Sequence, residues 1–167
     1  LAAKNAENAE KAAKEAAKVP PTLDYTDWAY VLTTYVSEEG QVDYTGLKAD
    51  REALDRFVAL LGEVGPTTKP ALFTLPQQQL AYYLNAYNAF VLRTVIDHYP
   101  SEGRSPDYPA KSIRQIPGAF ERLPHRVAGR TLTLDQIEQS VLATFHDPRV
   151  YFALGRGAVG SGRLRSE

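Results

Sequence analysis

Residues 81–98 read AYYLNAYNAFVLRTVIDH. This stretch predicts one long helix that is apolar on nearly every side, so it is expected at the centre of the core. Asn85 and Asn88 interrupt it three residues apart and therefore share a face. A buried amide that finds no hydrogen bond loses roughly 1–3 kcal/mol. Two explanations stand side by side. The amides tie down a neighbouring loop through its backbone, or together with Tyr87 they form the polar wall of a ligand site. Pro76 is expected to start the helix, and Pro100 lies just past its end. His98 falls in the last turn, where an imidazolium complements the negative end of the helix dipole. Arg93 and Asp97, four apart, are expected to pair on the surface.

Upstream, Asp24 to Ser37 reads as a helix capped by Asp24 or Thr26, with Trp28, Val31, Leu32 and Tyr35 on one face. Gly40 marks a turn, and Gln41 to Tyr44 a short extended piece. A helix capped by Thr45 is expected to run to about Val64, facing Leu47, Leu54, Phe57, Val58 and Leu61 inward, with Gly65-Pro66 closing it. Downstream, residues 101–110 read as a loop and Ser112 to Ile116 as a short helical turn. Arg126-Val127 and Thr131 to Thr133, around Ala128-Gly129-Arg130, read as a small hairpin. A helix capped by Thr133 or Asp135 is expected through Phe145, and Val150 to Leu154 reads as an apolar strand. The sum is a mostly helical α+β fold: one globular domain over residues 22–167, built on a long buried central helix with a small antiparallel β element.

Residues 1–21 differ in kind. The run LAAKNAENAEKAAKEAAK is rich in Ala, Lys and Glu, with Glu7–Lys11 and Glu10–Lys14 as i,i+4 pairs. It is expected to be a solvated helical arm, ended by Pro20-Pro21. Such an arm suits a tether or a partner-binding helix.

A chain of 167 residues is long enough for one sizeable core. Its net charge of −1 argues against nucleic acid as a partner. No uninterrupted apolar run reaches transmembrane length, since Asn85, Asn88 and Arg93 break residues 80–96. With no cysteine, these residues offer neither a disulfide nor a thiolate. Methionine is also absent and the sequence opens on Leu1, which suggests a processed product.

Gly155 to Gly160 match G-x-G-x-x-G. A dinucleotide site also needs a following helix, another strand and an acidic residue about 20 positions on. The sequence runs only to Glu167, so this stretch is read instead as a loop or an anion nest beside Arg156, Arg163 and Arg165. The histidines, His98, His125 and His146, lack zinc-motif spacing, so neither a metal nor a cofactor is expected.

Several segments together resemble the domain of unknown function 547 family. They are Tyr83-Leu84-Asn85-Ala86-Tyr87-Asn88-Ala89, Leu132-Thr133-Leu134-Asp135-Gln136-Ile137-Glu138, Asp147 to Leu154, and Leu164-Arg165-Ser166-Glu167. Gly40 to Tyr44 resembles the region preceding the domain, and the likeness spans roughly residues 24–167. Many bacterial members carry a Cys in a Ser-Cys-Pro-Pro-Leu context, with His in Ile-Glu-His and Ile-His-Phe. A thiolate with imidazole partners suggests thiol-hydrolase chemistry. Here the Cys position is Ser161, and the two His positions are Gln139 and Tyr151. The resemblance also implies that family members continue beyond Glu167, and it suggests a secreted or periplasmic setting.

Three functional readings follow. The first is a non-catalytic binding or scaffold domain, a degenerate member of the family. Its ligand, an anionic small molecule or a protein partner, would sit at Asn85, Tyr87, Asn88, Tyr151, Arg156, Arg163 and Arg165. The second is a hydrolase or acyl-transferase with Ser161 as nucleophile and His98 or His125 as base. The third is an interaction module that uses the N-terminal helix.

Overall fold

The structure is a computed structural model that describes residues 22–100, 105–157 and 164–165. The arm at residues 1–21 lies outside the described residues. Helices dominate, joined by one two-stranded antiparallel sheet, as the mostly helical α+β reading expects.

Helix α1 spans Thr26–Tyr35. Neither Asp24 nor Thr26 holds its cap position, which is Tyr25 with no side-chain cap bond, although Asp24 accepts from the Thr26 N–H at 2.9 Å. The extended piece after Gly40 is present as a bridge between Val36 and Val42. The long helix expected from Thr45 to Val64 is two helices, α2 (Tyr44–Ala49) and α3 (Glu52–Glu63). Asp43, not Thr45, caps α2, accepting from the Gly46 N–H at 2.9 Å. The break at Asp50 has a tertiary cause. Its carboxylate accepts hydrogen bonds from the α1 phenols Tyr30 (2.9 Å) and Tyr35 (2.6 Å).

Helix α4 (Pro76–Asp97) is the expected central helix. Pro76 occupies its first turn, and Gln78 reaches back to accept from the Leu75 N–H at 3.0 Å. From Tyr82 to Ile96 it buries residues on most of its circumference. Helix α3 lies against it and joins it to α1, where Trp28 stacks on Phe57 at 5.4 Å.

Strands β1 (His125–Val127) and β2 (Arg130–Leu132) form the expected hairpin, one residue earlier than the sequence suggests. Ala128 and Gly129, both at positive φ, make its two-residue turn. That turn also finishes α3. The N–H groups of Ala128 and Gly129 donate to the Leu61 and Gly62 carbonyls, each at 2.9 Å. The Tyr82 hydroxyl donates to the same Leu61 carbonyl at 2.5 Å. The carbonyls left unpaired at the end of a helix thus find donors in the core. Gly65 permits this approach, since a Cβ there would stand 2.5 Å from the Ala128 Cβ.

Thr133 caps the following helix through a capping box with Gln136. The helix is less regular than expected. One turn, α5 (Leu134–Gln136), widens to a π-type turn over Ile137–Val141 and tightens to a 3-10 turn over Leu142–Phe145.

Val150 to Leu154 is not a strand. Residues Val150–Ala153 form a helical turn, α6. Asp147 nucleates it, its carboxylate accepting from the Arg149 N–H and its carbonyl from the Val150 N–H. Val150 and Leu154 are buried while Tyr151 and Phe152 are exposed, a four-residue spacing rather than alternation. Periodicity cannot separate helix from strand in so short an apolar run.

Candidate functional site

Helix α4 carries polar groups on two sides. At about 100° per residue, Asn85 and Asn88 lie roughly 120–180° round the helix from Thr94 and Asp97. A groove opens along each face.

On the asparagine face, both amides are engaged. The Trp28 indole N–H donates to the Asn85 Oδ1 at 3.0 Å. Asn88 donates from Nδ2 to the Ala153 carbonyl at 3.0 Å, and its Oδ1 accepts from the Gly155 N–H at 2.8 Å. Asn88 therefore pairs with backbone as a neighbouring strand would, and it fixes where α6 ends. A Cβ at Gly155 would press on the Leu164 Cγ at 3.1 Å, so the glycine keeps Leu164 close to this turn. The resulting groove, of about 410 Å³, has Trp28, Leu32, Leu84 and Leu164 among its apolar lining. Phe152, 80% exposed, Arg149 and Arg165 border it. Asp147 orients the Arg149 guanidinium through contacts of 2.6 and 2.9 Å.

Tyr87 points elsewhere. Its buried hydroxyl donates to Glu138 at 3.5 Å, and Glu138 is ion-paired with Arg156. Burial, then the adjacent Glu138 charge, pushes the Tyr87 phenol well above its ordinary range. Arg156 is thus drawn to Glu138, whereas Arg165 lines the asparagine groove. Tyr151 lines a third, smaller cleft of about 280 Å³ with Glu138, His146 and Asp147. Ser161 and Arg163 lie outside the described residues. The sequence-derived binding set is therefore divided. Asn85, Asn88 and Arg165 meet in one groove, Tyr87 and Arg156 meet at Glu138, and Tyr151 shares only the small cleft with Glu138.

The opposite groove, about 530 Å³, lies between α3, α4 and β1. His98 and His125 both line it. His98 terminates α4 as expected, its Nδ1 2.8 Å from the Thr94 carbonyl. His125, expected in a loop, opens β1 and stacks on Phe90 with ring centroids 4.7 Å apart. Its Nε2 is buried with no hydrogen-bond partner. Burial, reinforced by the Arg93 charge, pulls its pKa down to about 4. At the rim Arg93 pairs with Asp97 as expected, but at 3.8 Å. Arg51 holds Asp97 and Asp55 more closely, at 2.6 and 2.7 Å.

Sequence reasoning gave no site role to Glu138, Trp28, Arg149 or Phe152. Glu138 had a signal, a carboxylate directly after the core position Ile137. Trp28 had one in being the single tryptophan. Among the described residues, no group of three His, Asp or Glu side chains could hold a metal ion. No helix among them is long and apolar enough to cross a membrane.

No curated protein and no solved structure matches the chain. Residues 71–166, more than half of it, match the family model described as protein of unknown function, DUF547. The match takes in α4, the hairpin and α6 with the Asn88 clamp, while α1, α2 and α3 precede it. The motifs around Asn85 and Asn88, Leu132 to Glu138 and Asp147 to Leu154 all fall within it, and the chain belongs to the DUF547 family.

Proposed function

We propose that this family member is a non-catalytic binding domain and that its ligand is an anionic amphiphile seated on the asparagine face of α4. One observation carries the reading. The Asn88 clamp sets α6 so that Arg149, held by Asp147, together with Phe152 and Arg165 borders an apolar groove whose described lining residues include no carboxylate. Guanidinium groups suit a carboxylate or phosphate head, and the apolar lining suits a hydrocarbon body. The non-catalytic part is supported by Ser161, Gln139 and Tyr151 at the family's Cys and His positions.

Trp28 lines the groove and is the single tryptophan, so its fluorescence reports locally. Titration with decanoate is expected to change that emission, and decanol to bind more weakly. Arg165→Ala is expected to weaken decanoate by roughly tenfold, the lower share of one charge-assisted contact. Equal binding of decanol, or an unaltered Arg165→Ala variant, would count against the anionic ligand. Turnover of p-nitrophenyl acetate that disappears in Ser161→Ala would overturn the non-catalytic reading.

A further inference from the structure

We infer that the groove between α3, α4 and β1 is a second binding site, one that takes a small uncharged aromatic molecule with a single hydrogen-bonding group, held against the His125 ring. It lies on the face of α4 opposite the asparagine groove and does not depend on the function proposed there.

Three observations converge. The first is the cavity itself, about 530 Å³, within the range of small-molecule sites. Its walls mix apolar groups, among them Val58, Phe90 and Leu123, with His125.

The second is the imidazole. A leucine or phenylalanine at the start of β1 could pack on Phe90 without burying a polar atom. His125 instead buries an Nε2 that no group among the described residues satisfies. Buried polar atoms are nearly always paired, so an unmet one marks a ring whose present orientation leaves its hydrogen bond unmade. A half-turn of the ring about Cβ–Cγ exchanges Nε2 with Cε1 while preserving the stack on Phe90. As placed, Nε2 has no accessible surface, so it is the flipped ring that meets a guest in the groove.

The third is charge balance. The charged lining residues are two arginines, Arg93 and Arg126, and two carboxylates, Glu63 and Asp97. Arg126 pairs with Glu63 at 3.0 Å, and Arg93 bridges Asp55 and Asp97. The imidazole stays neutral near pH 7 because burial opposes its protonation. Among these arginines and carboxylates no net charge remains to select an ion. An aromatic plane against the His125–Phe90 pair, with one polar group meeting the imidazole nitrogen, fits what is present.

The test is a titration of the full chain with benzamide, benzoate, benzylamine and toluene, followed by NMR of the histidine ring protons. Benzamide is expected to shift the His125 ring signals and to bind more tightly than benzoate or benzylamine. His125→Phe keeps an aromatic ring on Phe90 and removes the nitrogen. It is expected to weaken benzamide by roughly threefold to tenfold, the share of one hydrogen bond, and to leave toluene unchanged. The inference is overturned if a charged probe binds as well as benzamide or if His125→Phe binds benzamide like the parent. Wild-type His125 signals that no probe moves at millimolar concentration would overturn it equally.

Discussion

The two faces of α4 handle buried polarity in opposite ways. On one face Asn88 meets a carbonyl and an N–H of the chain end, and Asn85 accepts from Trp28. On the other, His125 buries a nitrogen that nothing in the described protein meets. Paired buried groups rigidify a fold and specify its geometry. An unpaired one costs stability and marks a place where the fold tolerates strain. The asparagine side therefore behaves as architecture, and the histidine side as a surface held short of its best packing.

The sharpest way to break this contrast is Asn88→Leu. It strands both the Ala153 carbonyl and the Gly155 N–H, so a loss of about 4 kcal/mol is expected in denaturant unfolding. A loss under about 1 kcal/mol would remove the asparagine clamp as a structural element.

Titrating the other face should give the next largest effect. The unfolded chain takes up a proton on His125 near pH 6.5, and the folded chain only near pH 4. Between those values the unfolded state binds more protons, so stability falls as pH falls through that window. The full effect is about 3 kcal/mol, complete below pH 4. His125→Phe lacks this loss, so its stability advantage over the parent should widen from pH 6.5 toward pH 4. Parallel stability curves for the two proteins across that window would refute a buried neutral imidazole.

Trp28→Phe sharpens the asparagine side. It retains an aromatic ring to stack on Phe57 but leaves the Asn85 Oδ1 without its donor, with an expected loss of roughly 1–2 kcal/mol. Asp97→Asn should do least. Arg51 and Asp97 are each about a third exposed, so the variant is expected to lose about 0.5 kcal/mol, and less at high salt.

Much of this was legible in the residues. The central helix, its Pro76 start and His98 end, the Ala128-Gly129 hairpin and the Thr133 cap follow from local signals that act within a few positions. So does the resemblance carried by the Tyr83 to Ala89 motif, which the family match to residues 71–166 bears out. The failures were those where distant groups decided. Asp50 ends α2 because two α1 tyrosines bind its carboxylate. Val150 to Leu154 bends into a helical turn because Asp147 caps it and Asn88 pins its end. Arg156 and Arg165, neighbours in a basic tail, part company because Glu138 holds the first.

The sequence by itself determined the helical class, the buried polar helix and the family, because propensity, capping and periodicity are short-range properties. It also posed the question of Asn85 and Asn88 correctly, with a clamp as one answer. Only the tertiary structure decided that Asn88 clamps α6 and Asn85 meets Trp28. It alone brought His98 and His125 into one groove, away from those amides. A side chain's partners are set by which segments fold against it, and the partner of Asn88 lies 65 residues away along the chain.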